Sequence, residues 1–202
     1  MTTRYEAAYR TPGYYWGKLP SKTCFKVLEL MPPGRPLRLL DIGCGEGRNA
    51  VFFAWNGYHV SAFDLSKTGV DKTRALAGEA GVEIDVFQAD LVGYRLDEPY
   101  DILYASGVLQ YIPPELREEV LGNYQAFTAP NGLNVLNVFV HKPFIPRAPD
   151  GEDTAHAWVS GELFTHYRDW KLELCSEEIM DCTSGGVPHQ HAIDRMIARK
   201  VA

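Results

Sequence analysis

The sequence predicts an α/β fold, a doubly wound and mostly parallel sheet that closes with an antiparallel hairpin. Three observations predict it. From Leu37 to Trp170, short apolar runs alternate with longer stretches of helical period, the pattern of strand–helix–strand crossovers. The first run, LRLLDIG, breaks into a glycine-rich turn, GCGEG, that opens a helix. The last two runs, Lys171–Cys182 and His191–Lys200, are joined only by TSGGVPHQ, a hairpin turn with no room for a crossover.

The elements follow in order. Residues 1–20 are rich in tyrosine and lack a clear period, so they read as an arm laid over the domain. Thr23–Leu30 is helical and ends before Pro32-Pro33. LRLLDIG is a short buried strand. Arg48–Trp55 is a helix stopped by Asn56-Gly57. YHVSAFD is the second strand, and Ser66 caps a helix that runs to about Ala80 and closes at Gly81. VEIDVFQAD and YDILYAS are the third and fourth strands. Pro113-Pro114 opens a helix with Leu116, Val120, Tyr124 and Phe127 at helical spacing. PNG turns into the fifth strand, LNVLNVFV, and Ser160 caps a helix that carries Leu163, Phe164, Tyr167 and Trp170 on one side.

The 202 residues suit one domain, with an arm and helix over 1–36 and an α/β core over 37–202. A net charge of −6 with no basic stretch argues against a nucleic-acid partner. No apolar run approaches the length of a bilayer span, so the expectation is a soluble, cytoplasmic protein with no membrane partner. Cys24, Cys44, Cys175 and Cys182 form no C-x-x-C pair and read as reduced thiols. Oligomeric state is not legible.

In open α/β sheets, ligands bind beyond the carboxyl ends of the strands, which directs attention to the turn Gly43-Cys44-Gly45-Glu46-Gly47. A dinucleotide fingerprint would place one more residue before its third glycine. Asp41 and Glu46 bracket the turn and would repel a pyrophosphate, each contact by about a few kcal/mol at an effective dielectric near 20. S-adenosylmethionine (SAM) carries a sulfonium and an ammonium, which the same acids attract, and alternate glycines let the backbone approach its amino-acid part. Asp64 ends the second strand, where it can accept both ribose hydroxyls. Asp90 ends the third, beside an adenine amino group.

LLDIGCGEGRNA, SAFDLS, FQADL and YDILYASGVLQYI resemble the successive motifs of class I SAM-dependent methyltransferases. The resemblance spans about Leu37 to Val140 and implies a seven-stranded sheet in the order 3-2-1-4-5-7-6 with the last strand antiparallel. It implies cofactor contacts at Asp41, Gly43, Cys44, Gly45, Asp64, Leu65, Asp90, Leu91 and Ser106. GCGEGRNAVFFAWNGYHVSAFDLS, GELFTHYRDW and the terminal MIARK are similar to the tellurite-resistance methyltransferases, which implies methyl transfer to a small molecule such as a chalcogen oxyanion or another soft nucleophile. Two alternatives remain open at this point, a SAM-binding module without catalysis and an NAD(P)-dependent oxidoreductase.

Methyl transfer is an in-line displacement from a site that excludes water. The hairpin turn ends on the ligand edge, and His189 and His191 share one face of its second strand, with Cys182 on the other arm. These histidines are the candidate catalytic and substrate-binding pair, as a base or as oxyanion donors. A metal set of Asp181, Cys182, His189 and His191 matches no standard ligand spacing, so no metal is expected. In GYYWGK, Tyr15 and Trp16 can close over a sulfonium through their ring faces, Tyr14 can touch substrate, and Lys18 can meet the methionine carboxylate. Gln110 and Tyr111 follow the fourth strand on the same edge. The loop His141–Ala157, with Pro143, Pro146 and Pro149, can shape the pocket, and Glu115, Glu118 and Glu119 read as a solvated helix face.

Overall fold

The computed structural model describes residues 4–148 and 155–201, so Pro149 lies outside the described residues. Seven strands form one sheet: β1 (Arg38–Ile42), β2 (His59–Asp64), β3 (Asp85–Gln88), β4 (Tyr100–Ala105), β5 (Thr128–Val140), β6 (Lys171–Cys182) and β7 (His189–Arg199). Their spatial order is β3-β2-β1-β4-β5-β7-β6, the predicted one. Strands β1 to β5 pair in parallel, and β7 is antiparallel to both of its neighbours. β6 therefore points the same way as β1 to β5. The carboxyl ends of those six strands and the start of β7 meet at one rim.

Among the described residues, six α-helices accompany the sheet: α1 (Arg4–Tyr9), α2 (Lys22–Leu30), α3 (Arg48–Trp55), α4 (Lys67–Ala80), α5 (Arg117–Ala126) and α6 (Glu162–Thr165). Alternation along the central strands divides the core between the two faces of the sheet. Leu40 and Ile42 of β1 and Leu103 and Ala105 of β4 face Val120, Leu121 and Tyr124 of α5. Leu39, Ile102 and Tyr104 face Cys24 and Val27 of α2 and Ala50 and Phe53 of α3. Ser66 caps α4 as expected, its Oγ accepting from the Gly69 amide at 3.0 Å, and Gly81 ends that helix at φ 67°.

Four elements depart from expectation. The arm contains a helix, α1, packed against α4. The third strand keeps only Asp85–Gln88. The PNG segment lies inside β5, with Asn131 at φ 63° and a shift in register against β4 between Tyr100 and Ile102. The helix expected after Ser160 is one short turn, because Ser160 does not cap it. Its Oγ bonds Glu177 and accepts from Lys142 Nζ, while Gly161 takes the cap position and Glu162 accepts from the Val159 amide at 2.9 Å. Leu163 and Tyr167 are nonetheless buried, so their spacing reported burial rather than helix length.

That segment is pinned by Arg117 at the start of α5. Its guanidinium lies 4.0 Å from the Trp158 ring centroid, donates to the His156 and Ala157 carbonyls, and pairs with Glu162 at 2.7 Å. Breaking a buried pair from one side typically costs about 3–5 kcal/mol. Arg117→Met should lower the unfolding free energy by about 3 kcal/mol, since Glu162 keeps some contact with water. Urea denaturation measures it, and an unchanged midpoint would refute this role for Arg117.

Candidate active site at the carboxyl rim

The turn after β1 is fixed from several sides. Gly43, Gly45 and Gly47 have φ of 67°, 59° and 87°, a region that disfavours any side chain. Two of the three glycines serve packing within the protein. A β-carbon at Gly43 would lie 2.5 Å from Val108 Cγ2, and one at Gly47 would lie 2.6 Å from Thr73 Cγ2. Gly45 alone looks toward the arm, where a β-carbon would meet the Tyr9 hydroxyl at 2.9 Å. Cys44 donates its amide to the Phe63 carbonyl at 2.9 Å. Its side chain is buried near Thr73, and burial pushes the thiol well above its ordinary pKa. Only its backbone is available to a ligand.

The acids expected to act together have different surroundings. Asp41 is 2% exposed, its Oδ2 has no hydrogen-bond partner, and burial together with the nearby Asp64 pushes its pKa up to about 8. Asp64 accepts from the Gly45 amide through Oδ2 and from the Ser66 amide through Oδ1, both at 2.8 Å. Burial raises its pKa while those two amides oppose the rise. Glu46 is buried but already paired, with Lys72 Nζ at 2.8 Å and the Trp16 amide at 3.4 Å. Its charge is therefore spent inside the protein, which corrects its expected part in attracting a cation. Asp90 is exposed and accepts from the Val92 amide at 2.9 Å. Leu91 is buried beneath it, and Leu65, 45% exposed, offers an apolar surface beside Asp64. Ser106 accepts from Asn137 Nδ2 at 3.0 Å, and Asn137 Oδ1 accepts from the Gly107 amide at 2.8 Å. A buried side chain of β5 thus holds the loop after β4.

The arm closes over this cradle. Glu6 accepts from Ser66 Oγ at 2.6 Å, Thr68 Oγ1 at 2.7 Å and the Thr68 amide at 3.2 Å. It binds the N-terminus of α4, where a carboxylate is favoured. These bonds hold its pKa down to about 2. Tyr9 is buried; Tyr15 meets it edge to face and Tyr5 meets it tilted at 32°, and Trp16 packs edge to face on Tyr15 with centroids 4.8 Å apart. Lys72 gathers the arm by donating to the Thr11 and Gly13 carbonyls at 3.0 and 2.6 Å. Lys18 is not brought to the cradle. It pairs with Glu79 at 2.5 Å, over the Tyr14 ring at 4.7 Å, and Tyr14 itself packs on Val51, Leu76 and Ala77 between α3 and α4. Glu6, Tyr9, Lys72 and Asn137 were missed in sequence. Only Tyr9, in a tyrosine-rich arm, carried any signal there.

The hairpin forms a second cluster on the same rim. His189 Nε2 and His191 Nε2 are 2.9 Å apart, and His189 Nδ1 lies 2.7 Å from the Val187 carbonyl. Cys182 pairs directly with His189 across the ladder. Asp181 is exposed and bonds Gln190 instead. The His191 ring lies 4.7 Å from that of Phe139, and Phe139 reaches Gly107. Contacts thus run from Gly43 through Val108 and Gly107 to the hairpin. Gln110 is buried, with its Oε1 unpartnered, and its carbonyl accepts from His156 at 2.7 Å. Tyr111, beside it in the 3-10 turn Leu109–Tyr111, is half-buried. Glu115, Glu118 and Glu119 are exposed, and Glu119 pairs with Arg95.

The docking of Glu6 sets a pH dependence. A pKa held below the ordinary carboxylate value means its contribution is complete above about pH 4.5 and fades as the pH falls toward 2. Charged hydrogen bonds contribute about 1.5–3 kcal/mol, so Glu6→Gln should speed amide exchange in the arm by about tenfold or more at neutral pH and flatten its acid dependence. Hydrogen-exchange mass spectrometry over residues 4–16 checks this, and equal protection in the variant would overturn it.

The family model described as tellurite resistance protein TehB matches residues 11–185. Hemagglutinin 1 of Eikenella corrodens is 29% identical over 184 residues, covering 86% of this chain and 58% of that protein. The probable S-adenosyl-L-methionine-dependent methyltransferase TehB of Haemophilus influenzae strain 10810 is 24% identical over 168 residues, covering 82% of this chain and 58% of that protein. The crystal structure of TehB from Haemophilus influenzae aligns with a TM-score of 0.79 at 20% identity, over 89% of this chain and 62% of that one, a likeness of fold. The chain spans 58% of the length of both curated relatives. Among the described residues, no helix is long and apolar enough to cross a membrane. With a match that runs from residue 11 to residue 185 of 202, the chain belongs to the TehB tellurite-resistance family.

Proposed function

We propose that the chain binds SAM on the cradle of Asp41, Gly43, the Cys44 backbone, Gly45, Asp64, Leu65, Asp90, Leu91 and Ser106, and transfers its methyl group to a small acceptor. The acceptor class we favour is a chalcogen oxyanion of the tellurite or selenite type, or a comparable soft nucleophile. The observation that carries the reading is Asp41, a buried carboxyl with one oxygen unpartnered. A buried, unsatisfied acceptor is costly, and a cationic ligand relieves that cost. The name of the Haemophilus influenzae relative, a probable SAM-dependent methyltransferase, supports the same activity.

SAM, when bound, supplies an electrophilic methyl group on a positively charged sulfur. The residues of this chain do the rest. Asp41 takes up charge opposite the cationic part of the ligand. Asp64, already oriented by the Gly45 and Ser66 amides, presents its remaining acceptor capacity to the ribose, and Leu65 lies against the base, with Asp90 beyond it. Tyr9, Tyr15 and Trp16 exclude water and turn aromatic faces toward positive charge. His189 and His191, with Tyr111, orient the acceptor from the hairpin side. A soft anion needs no proton removed before it attacks, so such an acceptor requires no general base of the histidines.

Isothermal titration calorimetry with SAM and assay of S-adenosylhomocysteine formation with tellurite and selenite test the reading. Asp64→Ala should raise the SAM dissociation constant by tenfold or more while the melting temperature holds, and wild-type affinity in that variant would contradict the assignment. Absence of SAM binding by the wild-type chain would end it.

Asp41 gives a further signature. With a pKa near 8 it is largely protonated at pH 7, and a cationic ligand favours the ionised form. SAM affinity should therefore rise between pH 6 and pH 9, with proton release on binding at pH 7. Titrations in buffers of different ionisation enthalpy measure the release, and Asp41→Asn should abolish it. Release undiminished in that variant would assign the proton elsewhere.

A further inference from the structure

The tip of the β6–β7 hairpin brings together three donors that the sequence keeps apart. Cys182 and His189 are the last pair of the antiparallel ladder, and His191 is two residues along β7 on the same face. Cys182 Sγ and a ring nitrogen of each histidine all lie within 4.8 Å of one another. In a tetrahedral zinc site with bonds of about 2.0–2.3 Å, donors sit about 3.3–3.8 Å apart. Changes in donor separation of up to about 1.5 Å, shared between two side chains, reach that geometry.

The hydrogen bonding already suits a ligand set. A carbonyl can only accept, so the 2.7 Å contact with Val187 fixes the proton of His189 on Nδ1 and leaves Nε2 with its lone pair inward. Metal-bound histidines commonly donate their other ring nitrogen to a backbone carbonyl in this way. The two Nε2 atoms face each other at 2.9 Å, with ring planes at 86°. The two ring nitrogens thus converge on one point, where a shared proton joins them and where a cation could take its place. Ser184 lies beside the thiol, its amide donating to Sγ at 3.4 Å and its Oγ accepting from Sγ at 3.2 Å. A cleft of about 300 Å³, lined by Pro146, Arg147, Pro188, His189 and Gln190, opens beside the His189 member of the cluster.

We propose that Cys182, His189 and His191 bind a borderline-soft divalent transition-metal ion, with zinc as the fitting case, through one sulfur and two nitrogens. Three protein ligands and an open position make it a site that can take up an exogenous oxygen ligand. The metal site stands apart from the methyl-transfer reading. One consequence rests on that reading: an ion here would be the group that holds an oxyanion acceptor, in place of the bare histidine pair.

The test uses untagged protein purified without metal-affinity resin, stripped with chelator and dialysed against zinc, and against cobalt(II) in parallel. One equivalent of zinc per chain is expected, together with a sulfur-to-cobalt charge-transfer band that Cys182→Ser removes and Cys175→Ser, at the exposed thiol outside the cluster, leaves intact. His189→Ala and His191→Ala should each weaken zinc binding by more than about 100-fold, beyond the 10–100-fold cost of losing an outer-shell partner. Sub-stoichiometric zinc in the wild type, or full binding in the double histidine variant, overturns the proposal. If a variant fails to melt cooperatively, the presence or absence of the wild-type cobalt–thiolate band decides. SAM titration of the same samples separates the two readings, because metal stoichiometry is measured without SAM.

Discussion

The close packing of the Gly43–Gly47 turn is the constraint on which the rim depends. Three backbone conformations that disfavour side chains follow one another at the end of β1, and neighbours press on two of the glycines. Val108 fills the space beside Gly43, and Thr73 fills the space beside Gly47. Gly69 meets the turn from α4, where a β-carbon would lie 2.7 Å from the Gly45 carbonyl. The turn thus locks β1 to the loop after β4 and to α4 together. Asp41 is left buried beneath it, and Asp64 is drawn against the Gly45 amide. A methyl group added at Gly43 or Gly47 would have to move the elements that aim both acids.

Electrostatics then assigns different work to similar residues. Asp41, Glu46, Asp64 and Asp90 lie near one another along the rim, yet they are not interchangeable. Glu46 has its cation in Lys72 and helps to bind the arm. Asp64 has two amide donors, which orient it and partly offset its burial. Asp41 keeps an unpartnered oxygen, and Asp90 stays in water. Burial alone does not predict function here. The useful quantity is the hydrogen-bonding capacity left after the protein's own donors have been satisfied. By that measure, Asp41 is the one of these four acids with most to gain from a positively charged ligand.

The arm and the hairpin reach the rim by different means. The arm is held by polar contacts at the start of α4 and by Lys72, with the Tyr9 hydroxyl beside Gly45. Such contacts are individually modest. The hairpin is a continuous ladder from Lys171 and Arg199 to Cys182 and His189. Donors at its tip are therefore presented by regular secondary structure, which fixes their relative directions before any ligand arrives.

The sequence by itself determined the strand and helix order, because alternation and helical period are local consequences of which side chains can be buried. Arg48–Trp55, the Ser66 cap and the Gly81 stop were legible for that reason, as were Asp41, Asp64 and Asp90 at the ends of successive strands. Local pattern failed where distant groups drew off the expected cap, as Glu177 and Lys142 did with the Ser160 hydroxyl, and where Glu6 reached across to α4. Only the tertiary structure decided which acids are already paired, which side chains press on the turn glycines, and that Cys182 lies opposite His189. Each of these depends on a partner far away in the chain, and a one-dimensional pattern carries the identity of such a partner but not its distance.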